Sequence, residues 1–177
     1  KDSTEIVLVV DESYSMNPLR GKTIESVNSF IADQRKIPGE AFIQIVTFSD
    51  TFKVIRPRVS IHEVEPLTET SYEPNGCTAL VDTLVDRIDT LGAELKARPE
   101  SERPKNVIFV ILTDGEENAS KKPLEEAQKR IRQQTDVYKW SFLYLGAGLA
   151  AFSQGTKLGI SQDTIASYNA TAGGTGA

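Results

Sequence analysis

Residues 6–15 have the sequence IVLVVDESYS, in which five aliphatic residues run without interruption into Asp11. A run without alternation of apolar and polar positions predicts a parallel strand that is covered on both faces. Residues 107–115, VIFVILTDG, repeat the pattern, because six apolar residues lead through Thr113 to Asp114. The chain therefore predicts two buried parallel strands, each of which ends in an acid.

Helical patterns are separated by extended ones in the rest of the chain. The clearest helix covers residues 78–95, where aliphatic side chains keep to one face and acids to the other. An earlier helix is expected to open at Asn17, which looks like a capping residue followed by proline, and to end at residues 37–39. Further helices are expected over residues 123–134 and 149–157.

The remaining extended segments predict how the sheet is assembled. Residues 42–48 and 52–55 are joined by so short a link that we expect an antiparallel hairpin, followed by a long connection over residues 56–76. More strands are expected over residues 140–145 and 164–168. Strands alternating with helices predict a three-layer α/β fold with a doubly wound, mostly parallel sheet. For such a sheet we take the order 3-2-1-4-5-6, with strand 3 antiparallel as the hairpin indicates.

Length and composition restrict the class of protein. The chain has 177 residues and no apolar run long enough to cross a bilayer, so we expect one soluble domain over residues 1–170, a cytoplasmic location and no membrane insertion. Residues 171–177 predict a flexible, glycine-rich tail. A formal net charge of -5 argues against a nucleic-acid partner. Cys77 and His62 are the only cysteine and histidine, so any metal must be held by oxygen.

Oxygen ligands are concentrated in three loops, and the loop after each long apolar strand supplies an acid. In an open α/β sheet the ligand crevice lies beyond the carboxyl ends of the strands, where the winding direction reverses. Asp11 and Asp114 would be neighbours there, and a divalent cation between them would stabilise both carboxylates in the ionised state. Carboxylates and hydroxyls suit a hard cation such as Mg²⁺, with Mn²⁺ or Ca²⁺ as alternatives. The three loops are residues 11–15, 75–78 and 113–115.

These residues resemble the metal-ion-dependent adhesion site of von Willebrand factor A domains. That site combines Asp-x-Ser-x-Ser, a distant Thr and a distant Asp in Thr-Asp-Gly, and this chain fills each position in the same order. The resemblance therefore implies five candidate metal ligands: Asp11, Ser13, Ser15, Thr78 and Asp114. The resemblance implies a Rossmann-like fold over most of the chain and a metal-dependent protein interaction module, not an enzyme, whose cation binds a Glu or Asp carboxylate of a protein partner. Residues 111–120 and 140–146 resemble stand-alone A domains of bacteria and bacteriophages.

Each candidate ligand also has an ordinary structural interpretation when taken alone. Asp11 or Asp114 could cap a turn or helix, Ser13 and Ser15 could be polar loop residues, and Thr78 could cap the helix that follows Gly76. The combination is far less expected by chance. Asp-x-Ser-x-Ser and Thr-Asp-Gly each stand at the end of a predicted buried strand, and the threonine stands at the start of a predicted helix. Cys77, inside one of these loops, is expected to be a small buried residue, and Trp140, Phe142 and Tyr144 are expected to pack in the core.

The alternative function is a metal-dependent hydrolase or phosphotransferase that uses Asp11 as its nucleophile. A serine hydrolase is disfavoured because His62, the sole histidine, is expected at the sheet edge. Nucleotide binding is disfavoured because no strand is followed by a Gly-x-x-x-x-Gly-Lys or Gly-x-Gly-x-x-Gly loop.

Overall fold

The computed structural model describes residues 2–114, 119–146 and 151–167. Within these ranges the chain alternates strands and helices as the sequence predicts. The strands are β1 (Ser3–Asp11), β2 (Glu40–Phe48), β3 (Phe52–Ser60), β4 (Asn106–Thr113), β5 (Ser141–Gly146) and β6 (Ile165–Ser167). The α-helices are α1 (Arg20–Arg35), α2 (Leu80–Ala97), α3 (Leu124–Asp136) and α4 (Ala151–Lys157).

The strands form one sheet in the order β3-β2-β1-β4-β5-β6. Strands β2 and β3 pair antiparallel, and every other pair in the described sheet is parallel. The predicted fold class, strand order and hairpin are therefore confirmed. Parallel pairing brings the ends of β1, β2 and β4 to the same edge of the sheet, which we call the carboxyl edge.

Helices cover both faces of the sheet, as the uninterrupted apolar strands require. Side chains of Val7 and Val9 pack in a cluster with residues of α2 and α3, whereas Leu8 and Val10 pack on the other face with residues of α1. The aromatic residues of β5 and its flank are buried as predicted, and the ring of Trp140 stacks on that of Phe109 with centroids 5.7 Å apart. Strand β1 has helices over both of its faces and lies third in the order of six strands, so its last residue is near the middle of the carboxyl edge.

Two predicted boundaries were wrong, each for a local reason. The helix expected from Asn17 begins at Arg20, because a 3₁₀ segment (Tyr14–Leu19) turns the chain tightly and buries Met16. The strand expected to end at residue 55 continues to Ser60 through Pro57. It lies at the sheet edge and contains register shifts, so the missing N–H of a proline is tolerated there.

The described residues end inside the last predicted strand. Strand β6 covers most of the predicted range, but Tyr168, the proposed tail over residues 171–177, and residues 149–150 of the predicted fourth helix lie outside the described residues. Among the residues that the structure does describe, none belongs to a helix that is both long and apolar enough to span a membrane.

Candidate metal centre

Asp11 ends β1 at the carboxyl edge with its side chain held from two directions. Its Oδ1 accepts a hydrogen bond from the backbone N–H of Ser13 at 2.8 Å, and its Oδ2 accepts one from Thr113 Oγ1 at 2.7 Å. Thr113 is level with Asp11 on the adjacent strand, since Val10 pairs with Leu112. The carboxylate is therefore fixed by its own turn and by β4.

The charge of Asp11 is in an unfavourable environment. The residue is wholly buried, and this burial raises the pKa of its carboxyl group to about 6, from an ordinary value of 3.8. Hydrogen bonds from Ser13 and Thr113 lower the pKa, and the negative charge of Asp114 raises it further. Within the described part of the chain no basic side chain forms an ion pair with Asp11 or affects its pKa. An ionised Asp11 thus lacks a compensating cation from these residues.

The two serines connect Asp11 to Asp114. Ser13 Oγ lies 3.2 Å from Ser15 Oγ, and Ser15 Oγ donates a hydrogen bond to a carboxylate oxygen of Asp114. Tyr14, between the serines, is 68% exposed, while its backbone N–H donates to Gly76 O at 2.8 Å. One continuous set of contacts therefore joins Asp11, Ser13, Ser15 and Asp114, which are as much as 103 positions apart in the sequence (114 − 11).

Thr78 approaches the same edge through backbone contacts. The loop before it is tied to the first loop by two hydrogen bonds, from Tyr14 N to Gly76 O and from Asn75 N to Glu12 O, each 2.8 Å long. Thr78 is buried, and its carbonyl accepts a hydrogen bond from Ala119 N at 3.0 Å. The alternative interpretation of Thr78 as a helix cap is wrong, since α2 begins at Leu80 with Ala79 in the capping position.

The geometry of that loop depends on Gly76. Its φ of +83° is in the left-handed region, and a Cβ atom would lie 2.8 Å from Asp50 Oδ2. The prediction that Cys77 is a buried filler is wrong, because the residue is exposed. Its backbone N–H donates to Asp50 Oδ1 at 3.1 Å, which fixes the backbone of Cys77. A side-chain hydrogen bond of the thiol to Asp50, together with the negative charge of that acid, raises the pKa of the thiol.

Three residues support the centre without having been identified from the sequence. Thr113 holds Asp11, Tyr72 donates its hydroxyl to the carbonyl of Asp11, and the buried carboxylate of Glu12 accepts from Glu73 N at 2.8 Å. Thr113 stands inside the Thr-Asp-Gly motif, so its position was a usable signal. Tyr72 lies in an irregular connection with no periodicity, and nothing in the sequence pairs it with β1.

The donor chemistry fits a hard divalent cation. The candidate ligands offer two carboxylates and three hydroxyls, all of them oxygen donors. Among the described residues no cluster of three or more His, Cys, Asp or Glu side chains is arranged to hold a metal. An ion at this edge would thus depend on hydroxyl groups and water for part of its coordination, as Mg²⁺ commonly does. Glu116, Glu117 and Asn118, which follow Asp114, lie outside the described residues.

Solved structures share this fold. Proximal thread matrix protein 1 from the mussel byssus aligns with a TM-score of 0.60 and 20% identity, over 94% of this chain and 41% of that one. The form of that protein described as having a zinc-occupied metal-ion-dependent adhesion motif aligns with a TM-score of 0.59 and 21% identity, over 99% and 44%. A von Willebrand factor type A protein from Catenulispora acidiphila aligns with a TM-score of 0.52 and 16% identity, over 83% and 34%. The chain spans less than half the length of each of these structures.

A family model extends the comparison from fold to sequence. No curated protein matches the chain. The model of the von Willebrand factor type A domain matches residues 5–151, which include every candidate metal ligand. Domains of this type mediate metal-dependent protein interactions through the adhesion motif, in general without enzymatic activity. With the matching sheet order and the family model over most of its length, the chain belongs to the von Willebrand factor type A domain family.

Proposed function

We propose that residues 1–170 form a divalent-cation-dependent protein interaction module. Asp11, Ser13, Ser15, Thr78 and Asp114 hold the cation at the carboxyl edge, and the cation binds a Glu or Asp carboxylate of a partner protein. The observation that carries the proposal is the buried, uncompensated carboxylate of Asp11, connected through two serine hydroxyls to Asp114. A cation at this position would supply the missing positive charge.

Mg²⁺ is the proposed ion, with Mn²⁺ or Ca²⁺ as substitutes, because all the candidate donors are oxygen atoms. When bound, the ion supplies a Lewis-acidic position for an oxygen of the partner. Neutral hydroxyl donors leave the ion more electrophilic than a full set of carboxylates would, which favours an anionic partner group. Tyr14 is an exposed aromatic side chain between two of these donors, and it offers apolar contact area beside the ion.

The position of Asp11 supports a binding role over a nucleophilic one. Its side chain is wholly buried, and both of its carboxylate oxygens already accept hydrogen bonds within the protein. Attack on a substrate would require that arrangement to open, and no contact of the described residues favours such a step. We therefore propose a non-enzymatic module. A cytoplasmic location and a bacterial or phage origin remain predictions from the sequence.

Calorimetric titration with MgCl₂ tests the proposed metal site. We expect one binding event in the wild type and none in Asp114→Ala, because that variant removes one of the two carboxylates. Asp33→Ala, which removes an exposed acid of α1, is the control and should titrate like the wild type. Equal binding by the wild type and Asp114→Ala would overturn the assignment.

A further inference from the structure

A second polar feature lies directly beside the candidate metal centre. It is a cleft of about 380 Å³ between the β2–β3 turn and the loop that precedes Thr78. We call it the acidic cleft, and its polar lining includes Glu12, Thr47, Asp50, Lys53 and Glu73. Glu12 lies between Asp11 and Ser13 in the sequence, so the cleft and the proposed metal site share one loop.

The charge of the cleft is negative. Its lining has three acids and one base, a net charge of -2 (−3 + 1). Glu12 is almost completely buried, and its carboxylate is fixed because Oε2 accepts from Glu73 N at 2.8 Å. Its Oε1 lies 3.4 Å from Lys53 Nζ, but the side chain of Lys53 is 66% exposed. An exposed lysine compensates a buried carboxylate weakly, because water screens the pair and the side chain is free to leave.

Thr47 gives an independent indication that this cleft receives a ligand. It is wholly buried and lines the cleft, and its Oγ1 has no hydrogen-bond partner among the described residues. Thr47 pairs with Lys53 across the hairpin, so the two side chains share a face of the sheet. Buried hydroxyl groups in proteins nearly always have a partner. A donor that enters the cleft would complete the hydrogen bonding of Thr47 beside the carboxylate of Glu12.

The polar lining of the cleft suits an organic cation. It offers the carboxylates of Glu12, Asp50 and Glu73 and the hydroxyl of Thr47, which has no hydrogen-bond partner among the described residues. A guanidinium group has five N–H donors in one plane, so it can bind a carboxylate and a hydroxyl at the same time.

We propose that the acidic cleft binds a basic side chain, arginine by preference, of the same partner whose carboxylate binds the metal. This inference rests on the proposed function for the metal-bound carboxylate. The partner segment then carries an acid and a base only a few residues apart, because both sites use the loop that contains Glu12. Complementary charges at two adjacent points also fix the direction in which the segment binds.

Matched synthetic peptides test the inference. Each acetylated and amidated peptide has one aspartate and one arginine, separated by up to four glycines, and has a twin with citrulline in place of arginine. Citrulline has nearly the same shape and no charge, so each pair of twins isolates the contribution of the cation. Affinities are measured by NMR titration of the ¹⁵N-labelled chain with saturating Mg²⁺.

We expect the arginine peptide of at least one spacing to bind about three- to tenfold more tightly than its twin, the range for one or two partly exposed ion pairs. That advantage should shrink in Glu73→Gln, a substitution that keeps the backbone N–H bound to Glu12, while the citrulline peptides bind this variant as they bind the wild type. The control variant Glu102→Gln removes the same charge from an exposed position before β4 and should keep the full advantage.

The outcomes separate this inference from the proposed function. If both twins bind equally at every spacing and binding still requires Mg²⁺, the cleft has no role and the metal proposal stands. If neither twin binds, the metal proposal fails, and N-acetyl-arginine amide alone then decides the role of the cleft. Amide shifts at Glu73, Asn75 and Gly76 with this compound, but not with the citrulline amide, would support a cation site. Their absence would overturn it.

Discussion

Strand β1 buries a carboxylate near each of its ends, and only one of the two has basic partners among the described residues. Near the amino end, Glu5 is 1% exposed and accepts hydrogen bonds from Arg58 at 2.6 and 3.1 Å and from Arg98 at 3.1 Å. At the carboxyl end, Asp11 is equally buried but is held by hydroxyl and N–H groups, without a basic partner among the described residues.

The two surroundings indicate different roles for the two acids. A buried charge is costly unless it is paired, and the fold supplies the pair for Glu5 from β3 and from the residue after α2. Arg58 is further held over the ring of Phe42, with its guanidinium carbon 4.0 Å from the ring centroid. For Asp11 the described residues supply no such cation, which agrees with the proposed metal site.

The largest loss of stability is expected from a change at Glu5, whose carboxylate is paired with two arginines. Glu5→Gln leaves Arg58 and Arg98 without their carboxylate, so we expect a loss of about 3 kcal/mol in the free energy of unfolding. The value is taken from the lower end of the usual range, since both arginines are partly exposed. Urea denaturation without metal measures it. A loss below about 0.5 kcal/mol would show that the ion pairs contribute little.

Metal bound beside Asp11, at the carboxyl end of β1, should stabilise the protein by a similar amount. At a hundredfold excess of Mg²⁺ over its dissociation constant, we expect a gain of about 2.7 kcal/mol in the free energy of unfolding. Glu5→Gln should keep this gain although the variant is less stable, whereas Asp114→Ala should lose it. Paired denaturation curves with Mg²⁺ and with chelator measure both, and a gain that survives in Asp114→Ala would contradict the comparison.

Neutralising Asp11 should have the opposite sign to neutralising Glu5. In Asp11→Asn the amide has nearly the same shape and carries no charge, so we expect the metal-free protein to gain about 2 kcal/mol at pH 7.5, part of the cost implied by the raised pKa. Chemical denaturation in the presence of chelator measures the change. A destabilisation comparable to that of Glu5→Gln would mean that the ionised form of Asp11 is well accommodated without metal.

Acidification should weaken metal binding. Because the pKa of Asp11 is about 6 in the folded state, above its ordinary 3.8, the folded protein holds this proton more tightly than the unfolded chain. Metal-free stability due to Asp11 is therefore greatest at low pH and falls as the pH rises from about 4 to 6. The metal competes with the proton, so lowering the pH from 7 to 5 should weaken Mg²⁺ binding about tenfold. Calorimetry at the two pH values checks this, and unchanged affinity would argue against Asp11 as a ligand.

The smallest change in the free energy of unfolding is expected for Arg58, one of the two basic partners of Glu5. Arg58→Lys keeps the positive charge but loses the two-pronged contact with Glu5 and the ring contact with Phe42, so we expect a loss of about 1 kcal/mol. Urea denaturation of Arg58→Lys and of Glu5→Gln compares the loss of stability due to contact geometry with the loss due to charge. Equal losses in the two variants would mean that charge compensation is not what stabilises Glu5.

The sequence predicted the sheet because its information is local. Uninterrupted apolar runs identify β1 and β4, and the short link after Phe48 predicts the hairpin. The strand order was taken from the doubly wound fold class, and the structure confirms it. The neighbourhood of Asp11 and Asp114 was accessible for the same reason, since both acids end such strands. The periodicity of apolar residues identifies strands and helices, but it does not say which group an individual polar side chain will contact.

The unpredicted features all depend on contacts between distant segments. Glu5 looked like an ordinary residue at the start of a strand, and its partners Arg58 and Arg98 are 53 and 93 positions away. Tyr72 reaches Asp11 from an irregular connection, and the exposure of Cys77 follows from the turn at Gly76. Such features are fixed by packing after the elements have formed.

Anomalous diffraction can locate the proposed ion itself. Crystals of the chain grown with Mn²⁺, which scatters anomalously, should show a single strong anomalous peak at the carboxyl edge of the sheet, within ligand distance of Ser13 and Ser15 and between Asp11 and Asp114. Crystals of Asp11→Asn grown in the same way should lack it. A peak elsewhere, or a peak that persists unchanged in Asp11→Asn, would contradict the account.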